Sequence, residues 1–480
     1  MLNSARHWFI EPISLTGRHF DERVDILVED SLVSPLCPGL DTMAADLTLE
    51  GYQVALFSVS GNSAESLRSF LQAEYDSGLV AAVLIGDLPV SWFQQIDDWN
   101  SNGVRDPDDH YEEFPCDLFF MDLDGTWQDS FVRLDTLDSL IPGTDSIYDL
   151  HFADIEPEIG ISRIPIPAVG PADSVLLHYL DKAHRYRLGQ LNVLDRALVY
   201  IDDDWRASAG QWNQNVGILY PSRVFVWERE STRAIDYRPR IDSAAYQWIQ
   251  ICAHSWPLGH GFRYAWGDSW DYFFANEIPG IDPEACFYNL FACSNARFVE
   301  AGFCAGRYVL ETSAGLGAIG SAKTGSMLEF DDFYTPLADG EPMALAFRDW
   351  FRTQIADTLQ AWERSWYYGM CLIGDGLLVP RLYSPVQEPA AHTPALPQVR
   401  LRGNPARTSV NLELALTNSS PAQVLLCDRT GRTVYSIRHA RLHPGTHPFT
   451  IDTRELTSGV YFLVLETNSG RTSLPVTVAR

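Results

Sequence analysis

Short apolar runs separated by segments of helical length constrain this chain most. VDILVE (24–29), YQVALFSV (52–59) and LVAAVLIGDLPV (79–90) read as strands, and SAESLRSFLQAEY (63–75) between them reads as a helix. A strand apolar on both faces must be covered on both faces, which predicts a parallel sheet flanked by helices. EIGISRIPI (158–166) reads as a further strand, before an amphipathic helix over 172–188 in which Asp173 is the expected N-cap. The pattern resumes with RALVYID (196–202), VFVWE (224–228), YQWIQICAH (246–254), CFYNLFAC (286–293) and GLGAIGSA (315–322), and closes with CLIGDGLLVPRLY (371–383). The expectation is an α/β fold in two subdomains, 1–190 and 191–383.

A different regime follows. SPVQEPAAHTPALPQ (384–398) is rich in Pro and Ala and reads as a linker. Residues 399–480 alternate apolar and polar between turn signals, the pattern of a small antiparallel β-sandwich. Charge divides at the same place. From Ala391 onward there are ten Arg against five acids, so the net charge of −28 falls wholly on the earlier residues. That acidity argues against nucleic acid as a partner. No apolar run reaches the roughly 18–20 residues of a membrane span. The first residues, MLNSARHWFIEPISL, lack a continuous apolar stretch and do not read as a secretory signal. The eight cysteines form no CxxC pair and no zinc spacing, and several sit in apolar runs where a reduced, buried thiol is expected.

Chemistry enters at two strand ends. In an open parallel sheet, working groups gather beyond the carboxyl ends of the strands. Cys293 ends one apolar run, before the helix-length ARFVEAGFCAGRYVLE, where a helix N-terminus would favour the thiolate. His254 ends the preceding run, and adjacent strands would bring an imidazole to the thiol. His260 is a second candidate, within Gly259-His260-Gly261. A thiol, a histidine to move its proton and backbone donors for an oxyanion make up a nucleophilic site.

DWNSNGVRDPDD (98–109) has the layout of a twelve-residue calcium loop. Asp98, Asn100, Asn102, Asp106 and Asp109 supply side-chain oxygens, the carbonyl of Val104 supplies another, and Gly103 stands at the sharp turn. Asp109 replaces the usual bidentate Glu, which predicts weaker binding. Asp122, Asp124 and Asp129 form a sparser second cluster. Calcium is expected to serve structure rather than chemistry.

Over residues 24–383 these blocks, in this order, resemble the gingipain-type cysteine peptidases of the caspase-like clan. Ala292-Cys293 matches the clan's nucleophile motif. His254 occupies the histidine position by strand order but is followed by Ser255 rather than Gly, whereas HGFRYAWG (260–267) resembles the sequence after the gingipain histidine. The resemblance implies that Glu158, in PEIGISRIP, orients the imidazole, and that Asp173 lines a pocket for a basic side chain. The end of the chain, with NPA (404–406), CDRTGRTVY (427–435) and LTSGVYFLVLE (456–466), resembles the C-terminal sorting domains of type IX-secreted proteins. It implies export to the surface or medium through that machinery. The reading is a secreted, calcium-stabilised cysteine endopeptidase acting on proteins or peptides. Its rival is a catalytically inactive surface binding or adhesion protein on a peptidase fold, favoured by Ser255 at the His-Gly position.

Overall fold

The computed structural model describes residues 9–13, 22–61, 63–97, 110–134, 140–191, 194–356, 361–380, 398–402, 406–416, 420–427, 432–442, 445–454, 456–467 and 470–479. The expected calcium ligands Asp98, Asn100, Asn102, Val104, Asp106 and Asp109 lie outside these residues. Contacts divide the chain into two compact units, Met1–Ser384 and Pro385–Arg480.

In the first unit an eleven-stranded sheet runs, in spatial order, Phe9–Ile13, Gln53–Ser60, Arg23–Glu29, Leu79–Ile85, Gly160–Ile164, Met370–Gly374, Gly317–Ser321, Ala285–Phe291, Tyr246–Cys252, Ala197–Ile201 and Arg223–Val226. The blocks expected at 1–190 and 191–383 therefore share one sheet. Met370–Gly374, the last strand in sequence, joins them: it pairs parallel with Gly160–Ile164 and antiparallel with Gly317–Ser321. Each block is parallel within itself apart from the edge strand Phe9–Ile13, and the two blocks run in opposite directions. Every residue of Tyr246–Cys252 and of Ala285–Phe291 is buried, including the polar Gln247, Gln250 and Asn289, as strands covered on both faces require. Helices Asp30–Glu50, Ala64–Tyr75, Ala172–Arg187, Ala209–Leu219, Cys304–Leu310, Phe330–Ala338 and Met343–Ala356 contribute buried faces to the same core.

Two local expectations fail. Asp173 is not the N-cap of its helix; it lies within the first turn, accepting from the backbone N–H of Ser174 at 2.8 Å, and Pro171 holds the cap position. The segment after Cys293 is not helical from its start. Turns occupy residues 294–303 and the helix begins only at Cys304. Ser294 adopts a left-handed φ of 55°. The Asn295 side chain donates back to the carbonyls of Leu290 and Ala292, closing the chain on itself before a helix can form.

The second unit pairs Gln398–Arg402, Ser409–Leu416 and Gly445–Asp452 in one antiparallel sheet, and Thr433–Leu442, Ser420–Cys427, Gly459–Thr467 and Gly470–Val478 in another. Alternate residues of both sheets, among them Leu412, Leu414, Val424, Leu426, Leu463 and Leu465, meet in one buried cluster. This is a sandwich.

Candidate active site

Tyr246–Cys252 and Ala285–Phe291 are parallel neighbours, with Cys252 opposite Phe291. The ladder continues one step further, because Ala253 N–H donates to the Phe291 carbonyl at 3.1 Å. His254 and Cys293 each stand two residues past the Cys252–Phe291 pair, His254 already in a hairpin strand and Cys293 in a turn. The Ser255 hydroxyl donates to the carbonyl of Cys293 and ties the two turns together. The serine that replaces glycine after the histidine thus has a structural task.

His254 is partly exposed and firmly held. Its Nε2 lies 2.7 Å from Asp204 Oδ2. Its ring lies 4.6 Å from Trp205 and 4.9 Å edge-on from Trp270. Asp204 follows the adjacent strand, Ala197–Ile201, on a single turn over Asp203–Trp205. Asp202, wholly buried, builds that turn: its carboxylate accepts from Asp204 N–H at 3.1 Å and from Arg263 N–H at 2.9 Å. Arg263 in turn donates to Asp204 Oδ2 at 3.0 Å. Partial burial alone would raise the Asp204 carboxyl, but the hydrogen bonds from His254 and Arg263 outweigh it and hold it below the usual carboxylate range. Burial lowers the His254 imidazole, with Asp204 opposing. Asp202 is pushed up to about 7 by burial.

The thiol is held from the opposite neighbour. Ser294 N–H donates to the Lys323 carbonyl at 2.8 Å and Ala296 N–H to that of Ser321 at 3.0 Å. Burial raises the Cys293 thiol; the backbone N–H of Gly325 favours the thiolate, Glu112 opposes it and Lys323 supports it. Gly325 has φ +132°, and a Cβ there would stand 2.4 Å from the Trp366 carbonyl oxygen, so only glycine brings this N–H to the sulfur. All eight cysteines are free thiols.

The family model for peptidase family C25 matches residues 40–381, well over half of the chain. The chain belongs to peptidase family C25. A second match, over residues 403–478, is to the secretion system C-terminal sorting domain, so this C25 chain carries the type IX signal of a secreted or surface-attached protein. No curated protein matches. Among solved structures the chain matches an engineered protein at 13% identity and a TM-score of 0.13, the match covering 68% of this chain and 66% of that one.

The remaining expected residues of the C25 chain lie elsewhere. His260 is wholly buried, between the rings of Phe273 at 6.1 Å and Tyr308 at 6.0 Å. Burial drives its imidazole down to about 3, so it is neutral. Neither ring nitrogen has a hydrogen-bond partner among the described residues. Glu158 precedes Gly160–Ile164, and three strands separate that strand from Tyr246–Cys252. Four strand spacings amount to about 19 Å, far beyond a carboxylate's reach to His254. Glu158 instead accepts from Leu123 N–H at 2.6 Å. Asp129 is likewise apart from Asp122 and Asp124; it accepts from the backbone N–H groups of Asp145 and Ser146. Asp122, Asp124 and Glu158 do converge, with one ligand oxygen from each within 4.8 Å of the others. Asp122 is already engaged there, by Gly125 N–H at 2.7 Å and His151 Nε2 at 2.5 Å. Asp202, Asp204 and His254 meet the same spacing, but the carboxylates are committed to the hydrogen bonds described above.

Two features were missed in the sequence. The acidic run DDDW (202–205), which begins at the last residue of RALVYID, marked Asp202 and Asp204. The alternation Trp270, Tyr272, Phe274 marked a strand in what reads as helix-length sequence. His254–Trp256, Gly259–Tyr264 and Ser269–Phe274 form a three-stranded antiparallel sheet.

Proposed function

We propose that this chain is a secreted, calcium-stabilised cysteine endopeptidase in which Cys293, His254 and Asp204 act together. The observation that carries the reading is that His254 and Cys293 follow the ends of two paired parallel strands, their turns tied by the Ser255–Cys293 hydrogen bond, while Asp204 holds His254 Nε2. With Nε2–H donated to a carboxylate, Nδ1 is the basic nitrogen. Burial disfavours both the thiolate and the imidazolium, so the resting pair is neutral and the proton moves as the sulfur attacks. The S–C bond forms, Nδ1 takes the thiol proton, and the carbonyl oxygen becomes an oxyanion facing backbone donors that include Cys293 N–H. The imidazolium, stabilised by Asp204, then gives its proton to the leaving amine as the C–N bond breaks. Water, activated by the same nitrogen, hydrolyses the thioester and restores the thiol.

Calcium in the loop 98–109 would brace the two strands flanking it, Trp92–Ile96 and Tyr111–Pro115, which pair with each other. Asp97 and Glu112, on either side of the loop, each lie 2.9 Å from the buried Lys323 Nζ, so the loop's stem is anchored to the segment that holds Cys293.

The test is hydrolysis of a mixed-sequence peptide library under reducing conditions, with calcium, beside Cys293→Ala. Cleavage abolished by the substitution supports the peptidase. No cleavage by the folded, calcium-loaded protein would overturn it and leave the binding-protein reading.

A further inference from the structure

The three-stranded sheet that begins at His254 has two unlike faces. One carries His260, Phe262 and Phe273 into the core. The other carries Trp256, Trp270, Tyr272 and Phe274, of which the last three are 41%, 44% and 47% exposed. These rings form a continuous platform. Trp270 and Tyr272 stack with 6° between planes, Tyr272 meets Trp256 at 5.7 Å, and Trp256 meets Phe274 at 5.8 Å. The strand between them carries Gly259 and Gly261 on this face. A Cβ on Gly259 would stand 2.6 Å from Trp256, and one on Gly261 3.3 Å from Trp270, so the missing side chains let the rings lie flat across the sheet.

The platform is continuous with the imidazole. Trp270 packs edge-on against His254 at 4.9 Å, and His254 itself pairs with Gly261 in this sheet. Cys293, by contrast, is held from the side of Ser321 and Lys323. An imidazole that protonates the leaving amine must stand on the leaving-group side of the thiol. Whatever follows the scissile bond is therefore directed over these rings.

We propose that the Trp256–Trp270–Tyr272–Phe274 face is a subsite for aromatic or large apolar side chains on the leaving-group side of the scissile bond, an inference that rests on the peptidase reading. Exposed aromatic rings of this kind offer stacking and apolar contact, selecting planar or bulky side chains over small polar ones. The occupant is the substrate polypeptide itself, because the platform begins at the catalytic imidazole.

The experiment compares two internally quenched peptides. Both carry the acyl-side sequence preferred in the library; one has Phe and the other Ser in the two positions after the cut. kcat/KM is measured for wild type, Tyr272→Ala and Phe274→Ala. Both variants change exposed side chains, and circular dichroism confirms their fold. Wild type should favour the Phe peptide by about tenfold, the low end of what an apolar pocket discriminates, and each variant should erase most of that ratio. A wild-type enzyme that cleaves both peptides equally, or variants that keep the full ratio, would overturn the subsite and leave the peptidase standing. Absence of hydrolysis of either peptide by wild type would overturn both. As a second reading, Cys293→Ala should bind the Phe peptide more tightly than the Ser peptide, seen by quenching of tryptophan fluorescence.

Discussion

Asp204 Oδ2 and His254 Nε2 lie 2.7 Å apart, between the ends of neighbouring strands, and Arg263 reaches the same oxygen at 3.0 Å. In the proposed mechanism this carboxylate would fix the tautomer of the imidazole and stabilise its charged form during proton transfer.

Asp204→Ala should therefore lower kcat/KM by about a hundredfold, within the range of general acid–base contributions, with little change in KM. Glu158→Gln should leave kcat/KM within about threefold of wild type. Parallel kinetics on the two variants check this. A larger loss in Glu158→Gln than in Asp204→Ala would contradict the assignment of the orienting carboxylate.

The pH dependence follows from the two shifts. His254 is active when neutral, and burial places its pKa below the ordinary 6.5, so the acid limb of kcat/KM should fall below that value. Burial raises the Cys293 thiol above its ordinary 9.0, so the neutral pair should persist past that pH before the alkaline limb begins. Asp204→Ala removes a group that favours the imidazolium and should move the acid limb further down. A pH–rate profile between pH 4 and 10 reads both limbs.

His260→Leu should retain activity within a few fold and match or exceed wild type in Tm. The substitution removes two ring nitrogens without partners among the described residues from an aromatic core, where such groups cost about 1–3 kcal/mol each. His254→Ala should be inactive and folded. Calorimetry and kinetics on the pair distinguish the two histidines.

Lys323→Met should destabilise the protein by about 3–5 kcal/mol, the usual consequence of leaving a buried pair without one partner. Its ammonium lies between Asp97 and Glu112 and also donates to the carbonyls of Thr324 and Ser365 at 2.6 Å. Denaturant unfolding at pH 7 measures the loss, and kcat/KM should fall with it, because the same segment presents Gly325 to Cys293.

Chelation of calcium should lower Tm, since an ion at a hundred times its Kd adds about 2.7 kcal/mol. Scanning calorimetry with calcium or with chelator reads the difference. Asp98→Ala should abolish it.

The α/β fold and the separate C-terminal sandwich were legible in the sequence, because each rests on local pattern, and so was the placing of Cys293 and His254 just past the ends of two apolar strands. An apolar run buried on both faces can only be a covered strand. Residues just past such runs emerge together once the strands are neighbours. What the sequence did not decide depends on strand order. Glu158 and Asp204 both flank apolar strands, but only the strand before Asp204 lies beside that of His254. The insertion of Met370–Gly374 reverses one half of the sheet against the other, and no residue pattern announces it. The turn after Cys293 overrides a helix-compatible sequence because Asn295 and Ser294 bond to groups remote from their own segment or turned back on it. His254 and His260 look alike in a thirteen-residue stretch. Alternation along the hairpin turns one toward the partly exposed side beside Asp204 and Trp270 and the other into the aromatic core, and only the packed sheet supplies those two surroundings.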